Sequence, residues 1–292
     1  MPTVADLFAN AAGEIEIIVT LDGYWPEGWG DFANKYVGRL HTIHRGEARG
    51  MRDGINSAAA LAKGEYLMKS DAHCKFEQGF DQVLKADCDD DWVVIPRRDR
   101  LDAENWRKQE TGKAPIDYHY LSWPYAKPEE IGMHGNVWTE RQREREHILI
   151  DDEMSSQGSC WFMTKRHFDR LGGLSEVGYG RFVQEFQEIG NKTWLSGGQV
   201  KVNKKTTYLH LHKGKAMGRG YYISKSEMVK GTHWSADYWL NDRWPERTRD
   251  LEWLIEKFNP PGWPANWQEL RHQYKLGSNG LTILPQTQAV TT

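Results

Sequence analysis

Asp71 and His73, separated only by Ala72, close an apolar run over Glu65–Ser70 that starts after Gly64. On an extended segment alternate side chains point the same way, so this carboxylate and imidazole can grip one cation together. A mixed oxygen and nitrogen donor set suits a borderline divalent metal such as manganese better than calcium. The alternative is a strand-end histidine bonded to backbone. A second pair, Glu185 and Glu188, has i, i+3 spacing on an expected helix and so shares one face. Either could act as a base or hold an acceptor hydroxyl, against the plainer alternative of a solvated face. The third signal is His210-Leu211-His212 at the end of the last expected strand, ahead of Lys213, Lys215 and Arg219. Residues 201–230 hold eight Lys/Arg and one acid, Glu227. With Gly214, Gly218 and Gly220 among them, these cations suit a strap over phosphates or a solvated basic surface.

Six strands and several helices must position these groups. Alternation passing into a β-branched run predicts a strand over Glu14–Leu21, ended by Asp22-Gly23, and a short one over Arg39–His44. Gly50–Lys63 reads as a helix stopped by Gly64, followed by the strand Glu65–Ser70, a helix over Phe76–Ala86 and the strand Trp92–Pro96. This alternation predicts an α/β fold with a mostly parallel sheet flanked by helices. Ligands in such sheets bind outside the carboxyl ends of the strands, where Asp22, Asp71 and His73 fall. Residues 97–155 read as a long irregular insertion with basic clusters at Arg97, Arg98, Arg100 and at Arg141, Arg143, Arg145. Further strands are expected over Ser159–Thr164 and Val200–Leu211, and helices over Arg166–Leu171, Phe182–Lys192 and Leu251–Phe258. Residues 1–230 thus form the expected main domain. Residues 231–292, crowded with Trp234, Trp239, Trp244, Trp253, Trp263 and Trp267, form a Trp-rich helical C-terminal extension. The extension either packs on the main domain or offers a platform for stacking sugars or bases.

Composition narrows the function classes. The 292 residues, 39% hydrophobic and 27% charged, describe an ordinary globular chain. A formal net charge of -3 gives no global bias toward nucleic acid. No stretch approaches the ~18 apolar residues of a membrane helix, and Met1–Asn10 lacks a signal-peptide pattern, so a cytoplasmic location is expected. Cys74, Cys88 and Cys160 have no zinc-ribbon spacing and read as reduced thiols. The turn from Asp22 to Gly28 is not a Gly-rich pyrophosphate loop. No GxGxxG follows a strand, which argues against a dinucleotide-binding dehydrogenase.

Read together, these segments resemble the GT-A glycosyltransferases. The likeness is strongest to the catalytic domain of the polypeptide N-acetylgalactosaminyltransferases, and looser to family-two transferases. The match is strongest over Gly50–Cys74, with its Gly-led helix, Lys63-Gly64, apolar strand and Asp71-Ala72-His73-Cys74. Ile17–Val19 with Trp25 resembles the first strand and the loop beside the nucleotide. Gly158-Ser159, Phe168 and Leu171-Gly172 resemble the wall around the donor sugar. Glu185–Glu188, Trp194 and Gly197-Gly198 are similar to the family's acidic helix and its Gly-Gly turn. Two departures stand out: no acidic pair follows His44, and Asp53 and Ile55 replace arginines of the early helix, although Arg49 and Arg52 are near.

The resemblance implies a metal-dependent glycosyltransferase that moves a sugar from a nucleotide-diphospho-sugar, UDP-sugar favoured, to a hydroxyl, with retention. It implies manganese or magnesium on Asp71, His73 and His210, the last aligned from the Gly-Gly turn without a gap. Thr20, Asp22, Trp25, Arg52, Gly158, Trp161, Lys213 and Arg219 are the expected donor-binding residues. Glu185 and Glu188 are the expected catalytic carboxylates. The acceptor is expected to be a saccharide or protein hydroxyl, or a hydroxylated base in DNA, which an enzyme would have to take out of the stack. The competing class is a non-catalytic carbohydrate- or DNA-binding module with a degenerate site.

Overall fold

A computed structural model describes residues 1–124, 131–212, 223–278 and 282–283. The chain opens with α1 (Pro2–Asn10), whose first turn holds Pro2, where a missing N–H costs nothing. This helix does more than cover the sheet. Thr3 Oγ1 accepts the Cys74 N–H at 3.1 Å, and Asp6 Oδ2 accepts the Phe76 N–H at 2.7 Å. Strands β1 (Ile17–Asp22) and β2 (Leu40–Arg45) pair in parallel across the short helix α2 (Trp29–Asn34). Helix α3 (Met51–Leu61), strand β3 (Tyr66–Ser70) and strand β4 (Cys74–Phe76) follow. The helix expected from Phe76 begins only at Phe80 (α4, Phe80–Ala86), because Gly79 turns the chain in the left-handed region at φ 75°.

Strand β5 (Trp92–Asp102) runs well past its expected end at Pro96. The insertion expected to be irregular holds β6 (Arg107–Lys108), β7 (His119–Leu121), β8 (Gly135–Val137), α5 (Thr139–Glu144) and β9 (Ile150–Asp152). Strand β10 (Cys160–Thr164) leads into α6 (Lys165–Arg170), which Thr164 caps by accepting the His167 N–H. Helix α7 (Glu185–Leu195) begins after Gln184, itself left-handed at φ 61°, and β11 (Gln199–His210) follows. The C-terminal part contains α8 (Lys225–Leu240), α9 (Leu251–Phe258), α10 (Trp267–Leu270), and β12 (Lys275–Leu276) paired with β13 (Thr282–Ile283).

The central sheet has the order β3-β10-β5-β11-β4, with β9 beside β11 and β6 beside β5. Its strand directions are mixed rather than mostly parallel. β5 and β11 run parallel, but β10 lies antiparallel to both β3 and β5, and β4 antiparallel to β11. The expectation rested on strand–helix alternation in the first hundred residues, and β10 lies outside them. The β1–β2 pair stands apart: among the described residues β1 pairs only with β2, and β3 only with β10. A crevice therefore separates two strand edges.

The Trp-rich region is packed rather than displayed. Trp239, Trp244 and Trp267 are buried in the same core as Trp161, Phe186 and Trp194. Trp194 meets Phe258 edge-on at 5.3 Å, and the Trp263 indole N–H donates to the Leu121 carbonyl at 2.7 Å. No helix among the described residues is long and apolar enough to cross a membrane. The three cysteines are free, Cys74 and Cys160 buried.

Candidate metal and donor site

Three elements bring the metal candidates together. The β4–β11 ladder sets His210 opposite Cys74, and the Leu211 N–H donates to the His73 carbonyl at 3.1 Å. Asp71, just past β3, is tied to β10 through its N–H on the Ser159 carbonyl at 2.9 Å. As a result His210 Nε2 lies 3.2 Å from Asp71 Oδ2 and 3.1 Å from His73 Nε2, while His73 Nε2 lies 3.7 Å from Asp71 Oδ2. His210 is 137 residues from His73, yet the three ligand atoms all lie within 4.8 Å of one another. A first-row cation with bonds of about 2.1 Å spaces neighbouring ligand atoms about 3.0–3.4 Å apart. The two spacings from His210, 3.2 and 3.1 Å, match such an ion, and the 3.7 Å between His73 and Asp71 is slightly wider. Burial alone would raise the Asp71 pKa, but the Lys69 ammonium and the His210 contact outweigh it and hold the carboxyl well below its usual range. Asp71 therefore presents a carboxylate.

These residues open onto one cleft of about 1710 Å³, larger than a typical small-molecule pocket of about 300–1,000 Å³. Thr20, Asp22, Gly158, Trp161 and Glu185 line it together with the triad. Thr20 Oγ1 donates to the Gly54 carbonyl at 3.1 Å. Both Asp22 oxygens serve the entry to α3, accepting the Arg49 N–H at 2.9 Å and the Gly50 N–H at 2.7 Å. Trp25, beside Pro26 of the cleft lining, is half exposed and edge-on to His44 at 5.0 Å. Lys213 and Arg219 lie outside the described residues.

Glu185 stands at the head of α7, where Trp161 Nε1 donates to its Oε1 at 2.8 Å and Lys69 Nζ to its Oε2 at 3.2 Å. Burial raises its pKa, and these partners offset only part of that rise. Lys69 also donates to Asp71 Oδ1 at 2.6 Å and to the Gly158 carbonyl, so it joins the triad to Glu185. Lys69 was not among the expected site residues. The signal was present in the sequence: Lys69 stands two residues before Asp71 on the strand that leads to it, although Ala72 and His73 form a turn rather than the extended continuation expected.

Glu188 and Arg52 do not line the cleft. They pair with each other in the interior, where Glu188 Oε1 also accepts from Lys192 Nζ at 2.7 Å and the Ser175 N–H at 2.9 Å. Arg52 lies over the Tyr179 ring at 4.0 Å. This geometry ties α3 to α7 and leaves neither charge facing a ligand. Most members of the two basic clusters are likewise engaged within the chain. Arg97 grips Asp117 with two hydrogen bonds of 2.9 and 2.8 Å, Arg145 pairs with Asp151, and Arg141 donates to the Asp152 carbonyl at 3.1 Å. Arg98 is buried, donating to Gln157 and at 3.1 Å to His119 Nε2. Arginine only donates, so His119 carries its proton on Nδ1, 3.1 Å from Glu153 Oε1.

Comparison with known proteins places this geometry. Polypeptide N-acetylgalactosaminyltransferase 5 of Caenorhabditis elegans is 20% identical over 219 residues, 73% of this chain and 33% of that protein. Among solved structures, GalNAc-T7 with UDP, GalNAc and Mn2+ superposes with a TM-score of 0.64 at 16% identity, over 88% of this chain and 53% of that one. The mannosyltransferase PcManGT of Pyrobaculum calidifontis with GDP-Man and Mn2+ gives 0.53 at 12% identity, over 94% and 69%. Staphylococcus aureus TarS 1–349 with UDP-GlcNAc gives 0.52 at 13%, over 83% and 63%. The chain thus spans a third of the curated relative and about half of GalNAc-T7. The fold these likenesses show is GT-A. The description "Glycosyl transferase family 2" matches residues 2–171, more than half of the chain, and the chain belongs to that family.

Proposed function

We propose that the chain transfers a sugar from a nucleotide-diphospho-sugar, UDP-sugar favoured, to a saccharide or protein hydroxyl, with retention of anomeric configuration. One observation carries this: Asp71 Oδ2, His73 Nε2 and His210 Nε2 converge at ligand spacing on the wall of a cleft large enough for donor and acceptor. A manganese or magnesium ion on those three atoms would supply positive charge to the leaving diphosphate. The related structures with UDP, UDP-GlcNAc or GDP-Man support a nucleotide-bound donor, and two of the three contain Mn2+.

The chain's own residues shape the rest. Trp161, buried and stacked on Phe168 at 5.7 Å, forms a rigid wall and orients Glu185. Glu185 is the carboxylate beside the triad, and both of its oxygens are already bonded, by Trp161 and Lys69. That suits a group that positions sugar and acceptor hydroxyls better than one that attacks carbon, so the retention proposed here would be assisted by the leaving group rather than by an enzyme nucleophile. Arg97 and Arg145 of the basic clusters are matched by the chain's own acids and lend no support to a DNA acceptor.

The test is a thermal-shift screen with Mn2+ against UDP, GDP, CDP and ADP, repeated with His210→Ala. Ligand that binds only the folded state raises the melting temperature by mass action. A manganese-dependent shift with one nucleotide, lost in His210→Ala, is the expected outcome. No shift with any of the four would overturn the donor reading in favour of a binding module. Proton NMR of the product then reads the anomeric configuration.

A further inference from the structure

Past Glu185 the cleft lining turns from charged groups to neutral amides. Gln157 and Gln187 stand there with Gly135, Ser156 and Phe182. Each amide is oriented by a neighbour of one-sided chemistry. Arginine only donates, so the Gln157 atom that Arg98 reaches is Oε1. Arg98 is itself buried and held from behind by His119, which in turn bonds Glu153 at 3.1 Å. The exposed Gln157 therefore turns its NH2 outward. A backbone carbonyl only accepts, so the Gln187 atom 3.1 Å from the Ser156 oxygen is Nε2, which also donates to Ser155 Oγ at 3.4 Å. Gln157 Nε2 and Gln187 Oε1 have no partner among the described residues. Gly135 packs on this arrangement: a Cβ there would meet Gln187 Nε2 at 2.8 Å and the Ser156 oxygen at 2.9 Å.

The pair lies away from the strand that carries Thr20 and Asp22. Those residues belong to β1, across the crevice from β3, and Lys69 and Trp161 hold Glu185 over β3 and β10. Gln157 rests on Arg98 of β5, the next strand in the order β3-β10-β5. Gly158, its neighbour, lies under the Glu185 carboxylate, so a molecule that meets both amides also reaches the reacting end of the cleft. One free donor and one free acceptor match hydroxyls, which offer both. Phe182 adds an aromatic ring for the apolar face of a sugar. Arg181, a cation of the same lining, is gripped by Glu227 with bonds of 3.1 and 2.9 Å and is not free to draw a phosphate.

We propose that Gln157 and Gln187 form an acceptor subsite that takes a neutral saccharide, the Gln157 NH2 donating to one ring hydroxyl and the Gln187 carbonyl accepting from another. This subsite rests on the transferase reading above and narrows its acceptor to the hydroxyl of a sugar.

The experiment is ligand-observed NMR on the intact chain with Mn2+ and UDP. The probes are the methyl glycosides of glucose, galactose and mannose, lactose, and a short threonine peptide, for the parent, Gln157→Met and Gln187→Met. The parent should bind at least one glycoside and leave the peptide unbound. Each variant should weaken that glycoside about three- to tenfold, the effect of one ordinary hydrogen bond, and should keep the manganese-dependent thermal shift with UDP. Deleting the hydroxyl that an amide reads should cost nothing further in the variant lacking that amide, a coupling that a double-mutant cycle measures. If Gln187→Met does not fold, Gly135→Ala, which pushes the Gln187 amide aside, carries the same readout. A parent that binds UDP but no glycoside overturns the saccharide reading, whether or not the peptide binds. Glycoside affinity unchanged in both variants overturns the subsite, and weakened binding of UDP-glucose in its place assigns the amides to the donor sugar. These results leave the transferase reading standing, whereas a parent that binds neither nucleotide nor glycoside overturns the two together.

Discussion

The Glu185 carboxylate rests directly over Gly158. A Cβ placed on Gly158 meets Glu185 Oε2 at 2.5 Å, its Cδ at 2.7 Å and its Oε1 at 3.1 Å. Carbon and oxygen atoms normally approach no closer than about 3.3–3.6 Å, so Gly158→Ala must displace the carboxylate by about 1 Å. Trp161 and Lys69 hold both oxygens, and the movement sacrifices one of those bonds. A hydrogen bond to a charged group contributes about 1.5–3 kcal/mol to stability, and an extra methyl forced into a packed site costs about 1–3 kcal/mol. Gly158 is not among the glycines with positive φ, so alanine fits its backbone. Gly158→Ala should therefore fold with its melting temperature lowered by several degrees. Misplacing a reacting or positioning group by about 1 Å lowers turnover about 100-fold, equivalent to about 2.7 kcal/mol in the barrier. The assay is steady-state release of nucleoside diphosphate from the donor that the shift screen identifies. Glu185→Asp added to Gly158→Ala draws the carboxylate back by one methylene and should recover part of the loss, a coupling a double-mutant cycle reads directly. Turnover within about threefold of the parent would refute the role given to Glu185.

Further outcomes follow from the interior. Glu188→Ala leaves Arg52 and Lys192 buried without their shared carboxylate and should cost about 3–5 kcal/mol in a denaturant melt. The donor KM of the folded variant should not change, and a raised KM with unchanged stability would move this pair into the donor site. His167 is held neutral: burial, then the neighbouring Arg170, lower its pKa to about 3, and its Nδ1 accepts from Arg170 at 2.9 Å. A folded-state pKa below the unfolded value of about 6.5 means stability is full above pH 6.5 and falls as pH drops toward 3, by up to about 1.4 kcal/mol per pH unit. His167→Gln should flatten that limb of a pH–stability curve, and an unchanged slope would exclude His167 as its source. A chain ending at Ser224 would uncover Trp194 and Phe186, which share a core with Trp239, Leu254 and Phe258. It should fail to give a cooperative melt, and a soluble, cooperatively melting fragment would show an independent catalytic domain.

Much of the site was legible because its signals are local, even though His73 reaches Asp71 through a turn rather than along a strand. Asp71 and His73 follow a short apolar strand behind a helix stop, and both features are visible in a dozen residues. His210 required a resemblance, since nothing local distinguishes a ligand from His212 two residues on. Glu188 shows the limit of helix-face reasoning. Every residue of α7 except Gln187 is buried, so sharing a face with Glu185 did not make Glu188 a cleft residue, and burial cannot be read from spacing. Strands of two or three residues such as β6 and β8 are too short to carry a period and exist through their tertiary partners. Helix α8 escaped because it turns His233, Ser235 and Asp237 inward. Its start was nonetheless written in Ser224 and Glu227, three apart, where the Ser224 side chain accepts the Glu227 N–H at 3.0 Å.

The crevice between β1 and β3 gives this molecule an uneven resistance to opening. In a parallel pair alternate residues direct their main-chain groups to opposite sides. The Ile17 N–H bonds the Arg39 carbonyl at 2.8 Å, so Ile17, Val19 and Leu21 face β2, while Ile18 and Thr20 face the gap. Deuterium should therefore enter the amides of Ile18 and Thr20 quickly while Val93 and Val202, deep in the main sheet, exchange only on global unfolding. The half of the cleft that carries Asp22 thus belongs to a less cooperative unit than the half that carries the triad. Heat or denaturant should loosen the first before the second, and a ligand that spans both should be seen first as slowed exchange along β1.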